Sequence, residues 1–151
     1  MEAPVYTQIE NLKVTVFQAY LFWENIEKNL LNLALRLSMG VREKTDIIIL
    51  PEMFNTGFSM NSEALAEEMG GKTMQWMQKM AHQYNCVVTG SLIIKENDQY
   101  FNRLIWMEPD GKNQHYDKRH LFTLAGEDKV YSAGKQKLIV EYKGFRICPL
   151  I

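Results

Sequence analysis

Apolar and polar positions change their period several times along this chain, and each change marks a structural element. Leu12 to Phe17 reads as a short strand. Phe22, Ile26, Leu30, Leu33 and Leu37 then recur at helical spacing, with Glu24, Glu27, Lys28 and Arg36 between them, which predicts an amphipathic helix of about four turns. Past Gly40 and Lys44, the run Ile47 to Leu50 is apolar at consecutive positions, the pattern of a strand covered on both faces. The opening order is therefore β, α, β. A second helix begins near Thr73, read as an N-cap behind Gly70 and Gly71. It carries Met77, Met80, Ala81 and Tyr84 at helical spacing and stops at Asn85, a residue suited to the left-handed conformation. A strand follows from Cys86 to Ile94. Asn102 to Met107 and Gln114 to Asp117 form a hairpin around Pro109-Asp110-Gly111, and another hairpin turns at Lys143-Gly144. Gly144 to Ile151 reads as a buried strand with no helix after it, so the sheet is expected to continue beyond Ile151. Early helices, late hairpins and short turns predict one α/β domain over residues 1–151, with a mixed sheet and no linker or repeat.

Composition narrows the function classes. The chain is 46% apolar and 23% charged, an ordinary globular balance. Its net charge is -1 with the two signs interleaved, which argues against nucleic acid or an anionic membrane as a partner. No uninterrupted apolar run reaches the roughly 18 residues of a spanning helix, and Met1 to Glu10 lacks a signal core, so a cytoplasmic protein is expected. Cys86 and Cys148 both fall in apolar, strand-like runs, as reduced core thiols do in a reducing compartment.

Two strand ends carry candidate chemistry. Glu52 follows a buried strand and precedes Met53, Phe54, Asn55, Thr56, Gly57 and Phe58, so its carboxylate is expected to project into an apolar loop. Burial raises a carboxyl pKa and suits the group to accept and return a proton. Position alone also allows a salt-bridged surface glutamate. Lys118 closes a predicted hairpin strand in His115-Tyr116-Asp117-Lys118-Arg119-His120-Leu121-Phe122, where an ammonium can support an oxyanion or belong to a solvated basic cluster. His82, His115 and His120 lack partners at metal spacing, so no metal site is expected. Cys148, mid-strand among apolar neighbours, reads as an inert structural thiol, and so does Cys86. Gly70-Gly71-Lys72-Thr73 lacks the earlier glycine and the preceding strand of a phosphate loop and reads as a helix start. Met69, Met74, Met77 and Met80 read as core filler.

Three separated motifs carry a resemblance. Ile49-Leu50-Pro51-Glu52-Met53-Phe54, Tyr116-Asp117-Lys118-Arg119-His120-Leu121-Phe122 and Gly144-Phe145-Arg146-Ile147-Cys148-Pro149-Leu150-Ile151 together resemble the nitrilase superfamily of carbon-nitrogen hydrolases. With Phe54-Asn55-Thr56-Gly57-Phe58-Ser59, the likeness is greatest to its ω-amidase branch, which hydrolyses terminal amides of keto-diacid monoamides. The resemblance implies a four-layer α-β-β-α sandwich, of which this chain forms roughly the N-terminal half, and a homodimer or higher homo-oligomer acting on a small-molecule amide without a cofactor. It further implies a Glu-Lys-Cys triad in which Glu52 is the general base and Lys118 supports the oxyanion. The nucleophilic cysteine would follow Ile151 directly. Glu127 resembles a further acid that some members hold near the lysine. Other substrate classes stay open, among them nitriles and carbamoylated amines, and a chain ending at Ile151 would be an inactive fragment or a binding module.

Overall fold

The computed structural model describes residues 11–41 and 43–151, and its first elements follow the expected β, α, β order. Met1 to Glu10, read above for a signal core, lie outside the described residues. Strand β1 (Val14–Val16) pairs in parallel with β2 (Ile47–Ile49), which pairs in parallel with β3 (Val87–Glu96). Strands β4 (Gln99–Met107) and β5 (Asn113–Asp117) then join antiparallel, giving a mixed sheet ordered β1-β2-β3-β4-β5. The β3–β4 connection turns at Asn97 and Asp98, both at positive φ (49° and 57°) as a primed two-residue hairpin turn requires. The apolar pattern does not signal this hairpin, because its strands end in the polar run Lys95 to Gln99.

Helices α1 (Ile26–Gly40) and α3 (Lys72–Tyr84) pack on one face of the sheet, with the single turn α2 (Ser62–Leu65) between them in sequence. Asn25 caps α1 by accepting the Lys28 N–H at 3.0 Å. Phe22, expected within the helix, lies ahead of it and donates its N–H to Asn29 Oδ1 at 2.7 Å. Leu30, Leu33 and Leu37 bury their side chains against Ile48, Val88, Leu92 and Ile94 of the sheet and Met74, Met77 and Met80 of α3. The methionine stripe is core filler, as its spacing predicts. Thr73 does not cap α3. The helix starts one residue earlier behind Gly71, and the Glu67 carboxylate accepts both the Thr73 N–H, at 2.8 Å, and its hydroxyl. A carboxylate reaching in from another segment satisfies the orphan N–H and suits the positive helix end. Asn85 ends α3 at φ 48°, as expected.

The opposite face of the sheet carries the hairpin of β6 (Val140–Tyr142) and β7 (Phe145–Ile147), which turns at Lys143 and Gly144. Val140 packs on Ile47, Val87 and Trp106, and the Tyr142 ring meets Trp106 edge-on at 5.9 Å. This cover is partial. Ile49, expected to be covered on both sides, is 37% exposed because the hairpin shields Ile47 and stops short of it. The predicted buried strand Gly144 to Ile151 is likewise corrected. Only Phe145–Ile147 is strand, its two apolar residues are half-buried, and Cys148 is exposed beyond its end. Cys86 is fully buried, and burial, followed by the nearby Asp46 charge, pushes its thiol up to about 11.

At Gly90, mid-β3, helix-side packing leaves no room for a side chain: an added Cβ would come within 2.8 Å of Phe54 and 2.9 Å of Leu50. Gly90→Ala is expected to cost about 1–3 kcal/mol through overpacking, read as a lower urea midpoint. An unchanged midpoint would contradict this packing.

Candidate active site

Alternation along β3 and β4 divides their side chains between the two faces. Leu92 and Ile94 face the helices, and Ser91 and Ile93 face the other way. In β4, Arg103 is registered with Leu92 and Asn102 with Ile93, so consecutive polar residues serve opposite faces. Arg103, 1% exposed, grips Asp117 of β5 at 2.6 and 2.9 Å and Glu96 of β3 at 3.0 Å. That grip tightens the β4–β5 register one step before Lys118, whose N–H donates to the Asn102 carbonyl at 3.0 Å. Lys118 and Asn102 are thereby neighbours across the strands, on the face away from the helices.

Glu52 reaches the same spot from the end of β2. The next residue, Met53, is fully buried at φ 46°, a left-handed conformation that an unbranched apolar side chain rarely adopts. Its N–H donates to Ser91 Oγ at 2.9 Å, and its carbonyl accepts the N–H groups of Thr56 and Gly57. The chain therefore reverses immediately behind Glu52 and aims the carboxylate back at β4 and β5. Met53 itself is anchored in a small apolar cluster with Leu65, Ile93 and Tyr131.

Lys118 Nζ lies 2.7 Å from Glu52 Oε1 and 2.9 Å from Glu127 Oε2, with the Phe58 ring centroid 5.2 Å away. Glu127 opens a short 3₁₀ turn after Gly126 and is fully buried; it accepts the Phe122 N–H at 2.6 Å and an Asn102 Nδ2 hydrogen at 2.9 Å. Asn102 Nδ2 also donates to Glu52 Oε1 at 2.7 Å. Glu52, Lys118 and Glu127 are thus brought into one cluster. The expected apolar surround of Glu52 is corrected: its oxygen meets a cation and an amide, and its side chain is 36% exposed against 8% for Lys118. The cluster opens to solvent at Glu52.

Of the basic string around Lys118, only that lysine is buried; His115 and His120 are exposed, as is His82. Sequence reasoning missed Asn102, Ser91 and Phe58. Asn102 had one available signal, a polar residue in phase with Leu104 and Trp106, two residues before the apolar run Leu104 to Met107. Among the described residues, no group of three His, Cys, Asp or Glu side chains is arranged to hold a metal ion.

Burial alone would lower the Lys118 pKa, but the hydrogen bonds it donates to Glu52 and Glu127, with their charges, override it and hold the ammonium above its ordinary value. Tyr131, whose hydroxyl donates to the Ser59 carbonyl at 2.5 Å, is also raised, first by burial and then by the Glu127 and Glu24 charges. Both groups hold their protons more tightly folded than unfolded. Their stabilisation is therefore complete below about pH 10 and is lost as pH rises toward the folded values. Tyr131→Phe is expected to flatten the decline in urea midpoint above about pH 10, and an unchanged slope would contradict the raised value.

Comparison with known proteins supplies the context for this cluster. The carbon-nitrogen hydrolase family profile matches residues 13–148. Omega-amidase YafV of Escherichia coli K12 is 39% identical over 142 residues, 93% of this chain and 54% of that protein. YafV of Yersinia enterocolitica is 37% identical over 145 residues, 95% of this chain and 55% of its own length. Among solved structures, XC1258 of Xanthomonas campestris is a CN-hydrolase superfamily protein with an arsenic adduct in its active site. It superposes with a TM-score of 0.88 at 38% identity, over 94% of this chain and 53% of that one. The chain thus spans about half the length of the relatives it matches. With the α/β fold, the mixed sheet and the sequence match all agreeing, the chain belongs to the carbon-nitrogen hydrolase family.

Proposed function

We propose that this chain carries the proton-handling and oxyanion-supporting part of a thiol-dependent amidase acting on a terminal amide of a small keto-diacid monoamide. The observation that carries the reading is the Lys118 ammonium held at 2.7 Å from Glu52 and 2.9 Å from Glu127, in a chain 37–39% identical to omega-amidases. A 2-oxoglutaramate amidase of Bacillus subtilis, 31% identical over 109 residues, supports the same substrate class.

In this mechanism a cysteine of the full-length protein, following the segment Gly144 to Ile151, supplies the nucleophile. Glu52 takes the thiol proton and the thiolate attacks the amide carbon. Lys118 stabilises the oxygen on which negative charge develops. Glu52 returns its proton to the departing nitrogen, ammonia leaves, and a thioester remains. The same carboxylate then activates a water that hydrolyses the thioester to the acid. Glu127 and Phe58 do not react. One keeps Lys118 charged and fixed, and the other lays an aromatic face beside the ammonium. Cys86, buried with a raised pKa, is unsuited to nucleophilic attack.

Ammonia release by the full-length protein on 2-oxoglutaramate, a nitrile and a carbamoylated amine tests this reading. The amide is expected to turn over fastest, and Glu52→Gln is expected to reduce kcat by about 10²-fold or more, the usual contribution of a positioned acid–base group. Faster nitrile turnover would overturn the substrate, and a normally active Glu52→Gln variant would overturn the mechanism.

A further inference from the structure

Asn102 is fully buried, and the two hydrogens of its side-chain amide go to two carboxylates from separate segments: Glu52 Oε1 at 2.7 Å and Glu127 Oε1 at 2.9 Å. With acceptors on both sides, the orientation of the amide is settled by chemistry, since a flipped Oδ1 would face two anionic oxygens. The cost of this arrangement is visible. Asn102 Oδ1 is buried and meets no donor among the described residues, a state that is destabilising for any polar atom. A strand position chosen for stability would carry an apolar side chain here, as Leu104 and Trp106 do two and four residues later on the same face.

The consequence falls on Glu52. Its Oε1 accepts from both Asn102 Nδ2 and Lys118 Nζ, each at 2.7 Å, while Oε2 makes no hydrogen bond among the described residues. The two oxygens are therefore inequivalent. Two donors drain charge from Oε1 and lock the rotation of the carboxylate, leaving Oε2 as the lone acceptor for a proton. Lys118 could not do this alone, because a single ammonium on a flexible stem lets the carboxylate pivot about one contact. Asn102 supplies the second, rigid contact from the adjacent strand.

We infer that Asn102 is a positioning residue that fixes Glu52 so that Oε2 is the atom that exchanges protons. In the proposed reaction the thiol S–H bond breaks, its electron pair stays on sulfur, and the proton bonds to Oε2; the same O–H bond later breaks to protonate the leaving nitrogen. The role in turnover rests on the amidase reading, whereas the orientation of Glu52 does not.

The test uses Asn102→Leu, close in shape but without donors, and Asn102→Asp, which sets a third carboxylate against the other two. In the full-length protein, Asn102→Leu is expected to melt cooperatively, to keep KM for a small amide within about threefold and to lose about 10²-fold in kcat, as for a misdirected acid–base group. Its crystal structure is expected to show Glu52 rotated away from Lys118 with the Lys118–Glu127 pair intact. Asn102→Asp is expected to recover activity only as pH falls and the new carboxyl becomes a donor, a profile that a purely structural role would not produce. An Asn102→Leu protein with Glu52 unmoved overturns the inference, whether or not the wild type hydrolyses amides. Wild-type inactivity with Glu52 rotated in the variant overturns the amidase reading and leaves the positioning role standing.

Discussion

A buried positive charge organises this structure. Lys118 has 8% of its side chain exposed, and an isolated ammonium at that depth would lose its proton or unfold its surroundings. Two carboxylates keep it charged, one fully buried and one at the edge of solvent. The three groups set a permanent cation between a buried carboxylate and a solvent-accessible one. Removing one partner of such a buried pair typically costs about 3–5 kcal/mol, so the cluster is also a structural commitment. Glu127 is committed most deeply, with both oxygens used: Oε1 accepts from Asn102, and Oε2 meets Phe122 N–H and Lys118. Glu52 has an oxygen to spare, and it is the member that solvent can reach.

The rest of the fold can be read as what is required to bring those groups together. Glu52 and Lys118 are 66 residues apart in sequence and come from strands that are not neighbours in the sheet. Strands β3 and β4 lie between them and supply Ser91 and Asn102, which hold the Met53 backbone and the carboxylates respectively. The left-handed Met53 is a local cost of the kind that persists where surrounding contacts over-determine it. Arg103 and Asp117, facing the helices, hold the register that sets Lys118 beside Asn102. Helices α1 and α3 provide the apolar mass against which this sheet stays rigid.

Much of this was legible in the sequence, and the reasons are local. Ile47 to Leu50 is a continuous apolar run and Pro109-Asp110-Gly111 marks a hairpin turn, so the strand ends carrying Glu52 and Lys118 can be found from local pattern alone. The roles proposed for them, and for Glu127, rest on the likeness to a family and not on local pattern. What stayed hidden depends on contacts between distant segments. Asn102 looks like any polar strand residue until Ile93 and Lys118 are seen beside it. Glu67 could not be recognised as the cap of α3, because its carboxylate arrives from outside the helix, and Thr73 was the better local candidate. The apolar content of Gly144 to Ile151 does not translate into burial, because the β6–β7 hairpin covers only part of the sheet face.

That Lys118 is a fixed cation held by Glu52 and Glu127 can be examined without any assay of turnover. The direct measurement is the ¹⁵N chemical shift of the Lys118 ammonium, assigned by comparison with Lys118→Arg and followed by NMR as pH rises through the alkaline range. Lys118 is expected to remain protonated beyond the ordinary lysine value of about 10.4. Titration at or below that value would show that burial outweighs the two carboxylates and that Lys118 is not a permanent cation.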